Sequence, residues 1–94
     1  MSTADERRWF AAVASLEECV LCGRVGVQVA HSNQDRGMGQ KSPPSATAAL
    51  CPMCHHDIDN GSSLPQDERR RLMDRAIVRT HIRLAALGKL KVAA

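Results

Sequence analysis

Large rings are almost absent from this chain. Trp9 and Phe10 are its only large aromatic side chains and it has no tyrosine, so the residues that fill most small cores cannot supply this one. No run approaches the roughly 18 apolar residues needed to span a bilayer. The N-terminus opens with Asp5, Glu6, Arg7 and Arg8 instead of a basic stub followed by a hydrophobic stretch. The expectation is a cytoplasmic protein with no membrane association. There is no low-complexity tract. At 94 residues the chain makes one small domain, residues 1–94, which excludes an enzyme with separate substrate and cofactor lobes.

So short a chain with so few bulky side chains needs a staple. Four cysteines in two Cys-x-x-Cys pairs, Cys19/Cys22 and Cys51/Cys54, are the staple on offer. In a reducing compartment such pairs hold metal or do redox work more often than they form disulfides. Four soft ligands on two turns suit the tetrahedral preference of zinc. Two other readings exist. Cys51-Pro-Met-Cys54-His55 matches the pattern of covalent haem attachment, though this leaves Cys19 and Cys22 unexplained. A dithiol redox role would call for one reactive pair beside a βαβ pattern, which is missing.

The net charge of +3 is unevenly spread. From Leu64 onward eight lysines and arginines face three acids, whereas residues 1–63 carry five cations and seven acids. A basic C-terminal third favours polyanionic partners such as nucleic acid, although a solvated helix face is also often rich in arginine.

The local patterns set out a layout. Residues 1–17 read as a helix, with Thr3 and Glu6 forming a capping box and Trp9, Phe10, Val13 and Leu16 at helical spacing. Cys19-Val-Leu-Cys22-Gly23 has the form of a zinc knuckle, and Val25, Val27 and Val29 alternate as a short strand leading to His31. Ser32 to Ser45 is a polar loop containing Gly37, Gly39, Pro43 and Pro44, with Arg36 and Lys41 able to meet phosphates. An alanine-rich stretch then leads into the second knuckle and a short helix on which His55 and Asp59, four residues apart, share a face. Gly61 breaks that helix. A long helix over 64–88 starts at Pro65, carries Asp67 and Glu68 in its first turn, and traces an apolar stripe through Leu72, Met73, Ala76, Ile77, Thr80, Leu84 and Leu87. Gly88 stops it, and Lys89 to Val92 can add a terminal strand.

With the cysteines assigned to structure, His31, His55, His56 and His81 remain. Zinc would gather the two knuckles and bring His55 and Asp59 near the strand that ends at His31, a set able to supply a general base and a site for a divalent cation. The blander alternatives are a strand-end His31 bonded to backbone, a His55 that buttresses zinc, and Asp57 and Asp59 as first-turn carboxylates. His56 and His81 read as surface or partner contacts.

The order Cys-x-x-Cys, strand, Ala30-His31, glycine-containing loop, Cys-x-x-Cys-His55 resembles the zinc-stabilised HNH, or ββα-metal, endonucleases. With the Gly37-x-Gly39-x-Lys41 loop and the Cys-His-x-x-Ile-Asp run, it is most similar to the small prophage-encoded nucleases typified by YbcO, over roughly residues 15–92. The resemblance implies an α+β zinc domain with a ββα-metal core, zinc on Cys19, Cys22, Cys51 and Cys54, and His31 as the general base. His55 and Asp59 would hold a catalytic Mg²⁺ or Mn²⁺. The sequence departs from the family at Ala30, where many members place a metal ligand, and at Ala46, near where they place an asparagine. DNA binding is expected through phosphates by Lys41, Arg75, Arg79 and Arg83. The alternative function is a non-catalytic zinc module that binds DNA or a replication or recombination protein. The long helix could also pair with a second copy.

Overall fold

A computed structural model of the chain describes residues 3–32, 43–61 and 63–92. Its elements are α1 (Ala4–Ala14), β1 (Gln28–His31), β2 (Thr47–Leu50), α2 (Pro52–Asp59) and α3 (Gln66–Ala86). The capping box of α1 is formed: the Glu6 N–H donates to Thr3 Oγ1 at 3.1 Å and the Thr3 N–H donates to Glu6 Oε2 at 3.3 Å. The helix ends at Ala14, short of the expected residue 17, and the chain turns through Glu17 at φ +66°.

β1 and β2 pair antiparallel, with Gln28 opposite Leu50, Val29 opposite Ala49, Ala30 opposite Ala48 and His31 opposite Thr47. All four residues of β2 are buried. Its alanines carry no strand preference of their own, and pairing with β1 together with docking of α3 fixes their conformation. At that dock Thr80, fully buried, accepts the Ala49 N–H at 3.2 Å and donates to Ala76 O at 2.7 Å.

The valine alternation overstates β1. Val25 is 77% exposed and makes only an isolated bridge to Glu18. Gly26, at φ +99°, breaks the extended run in a conformation open to glycine, so the strand begins at Gln28.

On α3, Met73, Ala76, Thr80 and Leu84 are buried, with Leu72 and Ile77 packed against them. Leu87 does not join this stripe: the helix stops at Ala86, and Leu87 is 61% exposed. The expected strand over Lys89 to Val92 does not form. The chain turns at Gly88, and the N–H groups of Lys89 and Leu90 both return to Leu84 O. The result is an α+β fold of three helices and a two-stranded sheet around one small core. Among the described residues no helix is long and apolar enough to cross a membrane.

Candidate metal centre and adjoining cleft

The first knuckle is closed by two backbone hydrogen bonds, Cys19 N–H to Arg24 O and Gly23 N–H to Cys19 O, each 2.8 Å. Gly23 sits at φ +80°, where a side chain would be strained. Val20 N–H donates to Ala49 O at 3.1 Å, so this knuckle hangs on β2. The second knuckle is the start of α2 itself. Cys51 is the N-cap, Pro52 takes the first position, and Cys51 Sγ accepts the Cys54 N–H at 3.4 Å.

These two turns bring all four sulfurs within 4.8 Å of one another. Cys22 Sγ and Cys51 Sγ are 3.6 Å apart, far beyond the roughly 2.05 Å of a disulfide. Sulfurs placed tetrahedrally around zinc at about 2.3 Å lie about 3.8 Å apart, so the cluster can hold a metal ion such as zinc. Burial opposes ionisation of Cys19, but the backbone N–H groups of Cys51, Cys22 and Leu21 outweigh it and bring its thiol down to about 6. Cys54 is pushed the other way by burial and by the Cys51, Cys22 and Cys19 sulfurs. The Arg24 N–H favours the thiolate of Cys22, yet contact with Cys51 raises that thiol overall. One site is thus ready to meet a cation and its neighbours hold protons that a metal would displace.

Beyond the cysteines, α2 and β1 position the histidines. His55 Nε2 lies 3.0 Å from Asp59 Oδ2, as their four-residue spacing on a helix implies. Its Nδ1 lies 2.8 Å from Gln28 Oε1. Strand alternation puts Gln28 and His31 on opposite faces, which is why His55 meets Gln28 and not His31. His31, exposed at the end of β1, stands edge-on to Phe10 with ring centroids 5.3 Å apart. It lines an open cleft of about 220 Å³ together with Ile58 and Asp59 of α2 and Gln66, Arg69, Arg70 and Met73 of α3. The structure therefore brings His31 and Asp59 to one cleft, and His55 joins them through Asp59.

The basic residues divide by role. Arg79 Nη1 donates to Val20 O at 3.1 Å, and Arg83 Nη1 to Glu18 O at 3.5 Å while its Nη2 lies 3.9 Å from the Glu18 carboxylate. Both tie α3 to the first knuckle. Arg75 is exposed. Lys41 lies outside the described residues, with Arg36, Gly37 and Gly39. His81 Nε2 pairs with Ser45 O at 2.8 Å, its ring against the edge of Trp9.

Gln28, Gln66, Arg69 and Arg70 were not read from the sequence as site residues, the two arginines counting there only toward the basic C-terminal third. For the last three a signal existed, because they precede Met73 of the apolar stripe by seven, four and three residues and so share its helix face. Gln28 offered none until the packing of α2 on β1 was known. No protein family, curated protein or solved structure matches this chain.

Proposed function

We propose that the protein is a divalent-metal-dependent endonuclease of the HNH type that hydrolyses nucleic-acid phosphodiesters, with zinc on Cys19, Cys22, Cys51 and Cys54 as its structural staple. The observation that carries this reading is the cleft in which His31 and Asp59 face Arg69 and Arg70. The chain order β1, β2, α2, with His31 ending the first strand and His55 on the helix, agrees with the ββα-metal resemblance.

In this reading His31 takes a proton from water as the water oxygen bonds to phosphorus. The bond from phosphorus to the 3′ oxygen breaks, its electron pair stays on that oxygen, and solvent protonates it. His55 and Asp59 would hold the cation. An Nδ1–H donated to Gln28 Oε1 leaves the Nε2 lone pair directed at the Asp59 carboxylate, and two acceptors 3.0 Å apart require a positive charge between them, a proton or a metal ion. That spacing also equals the separation of adjacent ligands on an octahedral ion with bonds of about 2.1 Å. A cation there supplies charge stabilisation for the phosphate and the leaving oxygen.

Ala30, 1% exposed, can offer no ligand, and this favours the second reading, a zinc module that binds DNA or a replication or recombination protein without cutting. One experiment decides between them. Wild type and His31→Ala are compared for zinc content, melting temperature and Mg²⁺- or Mn²⁺-dependent nicking of supercoiled plasmid. The nuclease reading expects equal zinc and stability with nicking lost in the variant. Binding by both proteins with cleavage by neither establishes the non-catalytic module.

A further inference from the structure

We propose that the first two turns of α3 form a phosphate-binding subsite, with Arg69 and Arg70 gripping a backbone phosphate across the cleft from His31. The inference rests on the nuclease reading for its ligand and names the residues that hold the substrate.

Three observations support it. Gln66, Arg69, Arg70 and Met73 fall at helical positions i, i+3, i+4 and i+7, one continuous face, and all four line the cleft. Second, the Arg69 guanidinium is only loosely engaged. Its Nη1 reaches Ile58 O and Asp59 O at 3.5 and 3.4 Å, long for such bonds, and its buried Nε finds no acceptor among the described residues. The Nε is screened from the cleft, so it is the terminal guanidinium nitrogens, held by these long bonds, that an oxyanion in the cleft would meet as a charge-assisted partner. Third, Pro65, the N-cap of α3, has no side chain that bonds the helix, so among the described residues the cap does not compete for its first-turn N–H groups.

The charges within the cleft agree. Among the described residues Asp59 is the one carboxylate lining it, and it faces His55. Asp67, in the same first turn as Gln66, is exposed and pairs with Arg71 at 3.7 Å. A cleft of about 220 Å³ is smaller than a drug-sized pocket and fits a phosphate with its flanking sugars, not a duplex.

The test uses zinc-loaded protein without added divalent cation and three probes: a short oligothymidylate, its uncharged methylphosphonate analogue, and inorganic phosphate. Binding is followed by anisotropy or calorimetry over a range of salt and by the amide NMR shifts of α3. The oligothymidylate should shift the amides of Gln66, Arg69 and Arg70, and the neutral analogue should not. Shifts from inorganic phosphate of equal size and affinity would mean a free-anion site and overturn the backbone assignment. Arg69→Gln and Arg70→Gln should each weaken oligothymidylate binding about tenfold and flatten the salt slope by roughly 0.7. Arg71→Gln, one residue on with its side chain 74% exposed, removes the same charge and should weaken binding less than about twofold. Arg69 also supports the end of α2, so Arg70→Gln carries the test if Arg69→Gln does not fold. Equal losses in Arg70→Gln and Arg71→Gln would mean diffuse attraction and sink the subsite. Nicking that needs His31 beside unimpaired binding by Arg70→Gln removes the subsite and leaves the nuclease; arginine-dependent binding without any cleavage does the reverse.

Discussion

Nδ1 of His55 lies 2.8 Å from Oε1 of Gln28, so a side chain on β1 fixes which ring nitrogen on α2 faces Asp59. A second partner of this kind sets the tautomer of a metal-ligating histidine, and its loss typically costs about 10–100-fold in metal affinity or activity. Gln28→Ala should therefore lower the proposed cleavage by about that factor while changing stability by less than about 1.5 kcal/mol. Gln28→Glu keeps the acceptor and should recover most of the activity. Long-range ¹⁵N NMR of the imidazole should show the Nδ1 proton in wild type and a mixed tautomer in Gln28→Ala; an unchanged spectrum would mean that Gln28 does not position the ring.

Removal of metal from the cysteine cluster is expected to lower the melting temperature sharply. Cys19 and Cys51 belong to the core, 2% and 1% exposed, so an ion on the four thiols would tie the two knuckles together from inside a small core. Chelation should bring thermal unfolding, followed by the near-ultraviolet circular dichroism of Trp9, to a lower temperature, and re-addition of about one zinc per chain should restore it. Cys51→Ser should be more damaging than Cys22→Ser, because Cys51 is buried in the core at 1% exposed, whereas Cys22 is exposed. A chelated protein that keeps its melting temperature would show that the cluster is not the staple.

The features read most clearly from the sequence were those set by neighbours along the chain. The Thr3–Glu6 box, the His55–Asp59 spacing and the two knuckles each depend on a few adjacent residues, and each is present. Features set by tertiary packing were hidden. Thr47–Leu50 is a strand because β1 and α3 bury it, not because alanine favours strands. Gln28 became a site residue only when α2 folded onto β1. The arginines expected to meet nucleic acid, Arg79 and Arg83, have carbonyl partners on the first knuckle that no helical periodicity could reveal. Arg69 and Arg70, counted from the sequence only toward the basic C-terminal third, line the cleft.

Metal loading should release more protons as the solution becomes more acidic. Folding lowers the Cys19 thiol from 9.0 to about 6, whereas Cys22 and Cys54 are raised. Above about pH 6 Cys19 is already a thiolate and has no proton to give; below it the thiol is protonated and must lose one before it can bind. Zinc binding at about pH 5 should therefore release about one proton more per ion than at about pH 7.5, with weaker apparent affinity. Calorimetry in buffers of different ionisation heat measures this number directly, and a proton count that does not change with pH would contradict the assigned ionisation of Cys19.

The final prediction concerns the joint between α3 and the sheet. Thr80 Oγ1 accepts from Ala49 N–H and donates to Ala76 O, and no part of the residue is exposed. Replacing it with valine preserves the shape but leaves the Ala49 amide without a partner inside the core, a loss of about 1–3 kcal/mol. Serine keeps the hydroxyl and removes one methyl, which should cost roughly 0.5–1.5 kcal/mol. The order of stability from denaturant melts should be threonine, serine, valine, whereas apolar burial alone would put valine first. Valine equal to or above threonine would show that the helix is held on β2 by packing and not by this hydroxyl.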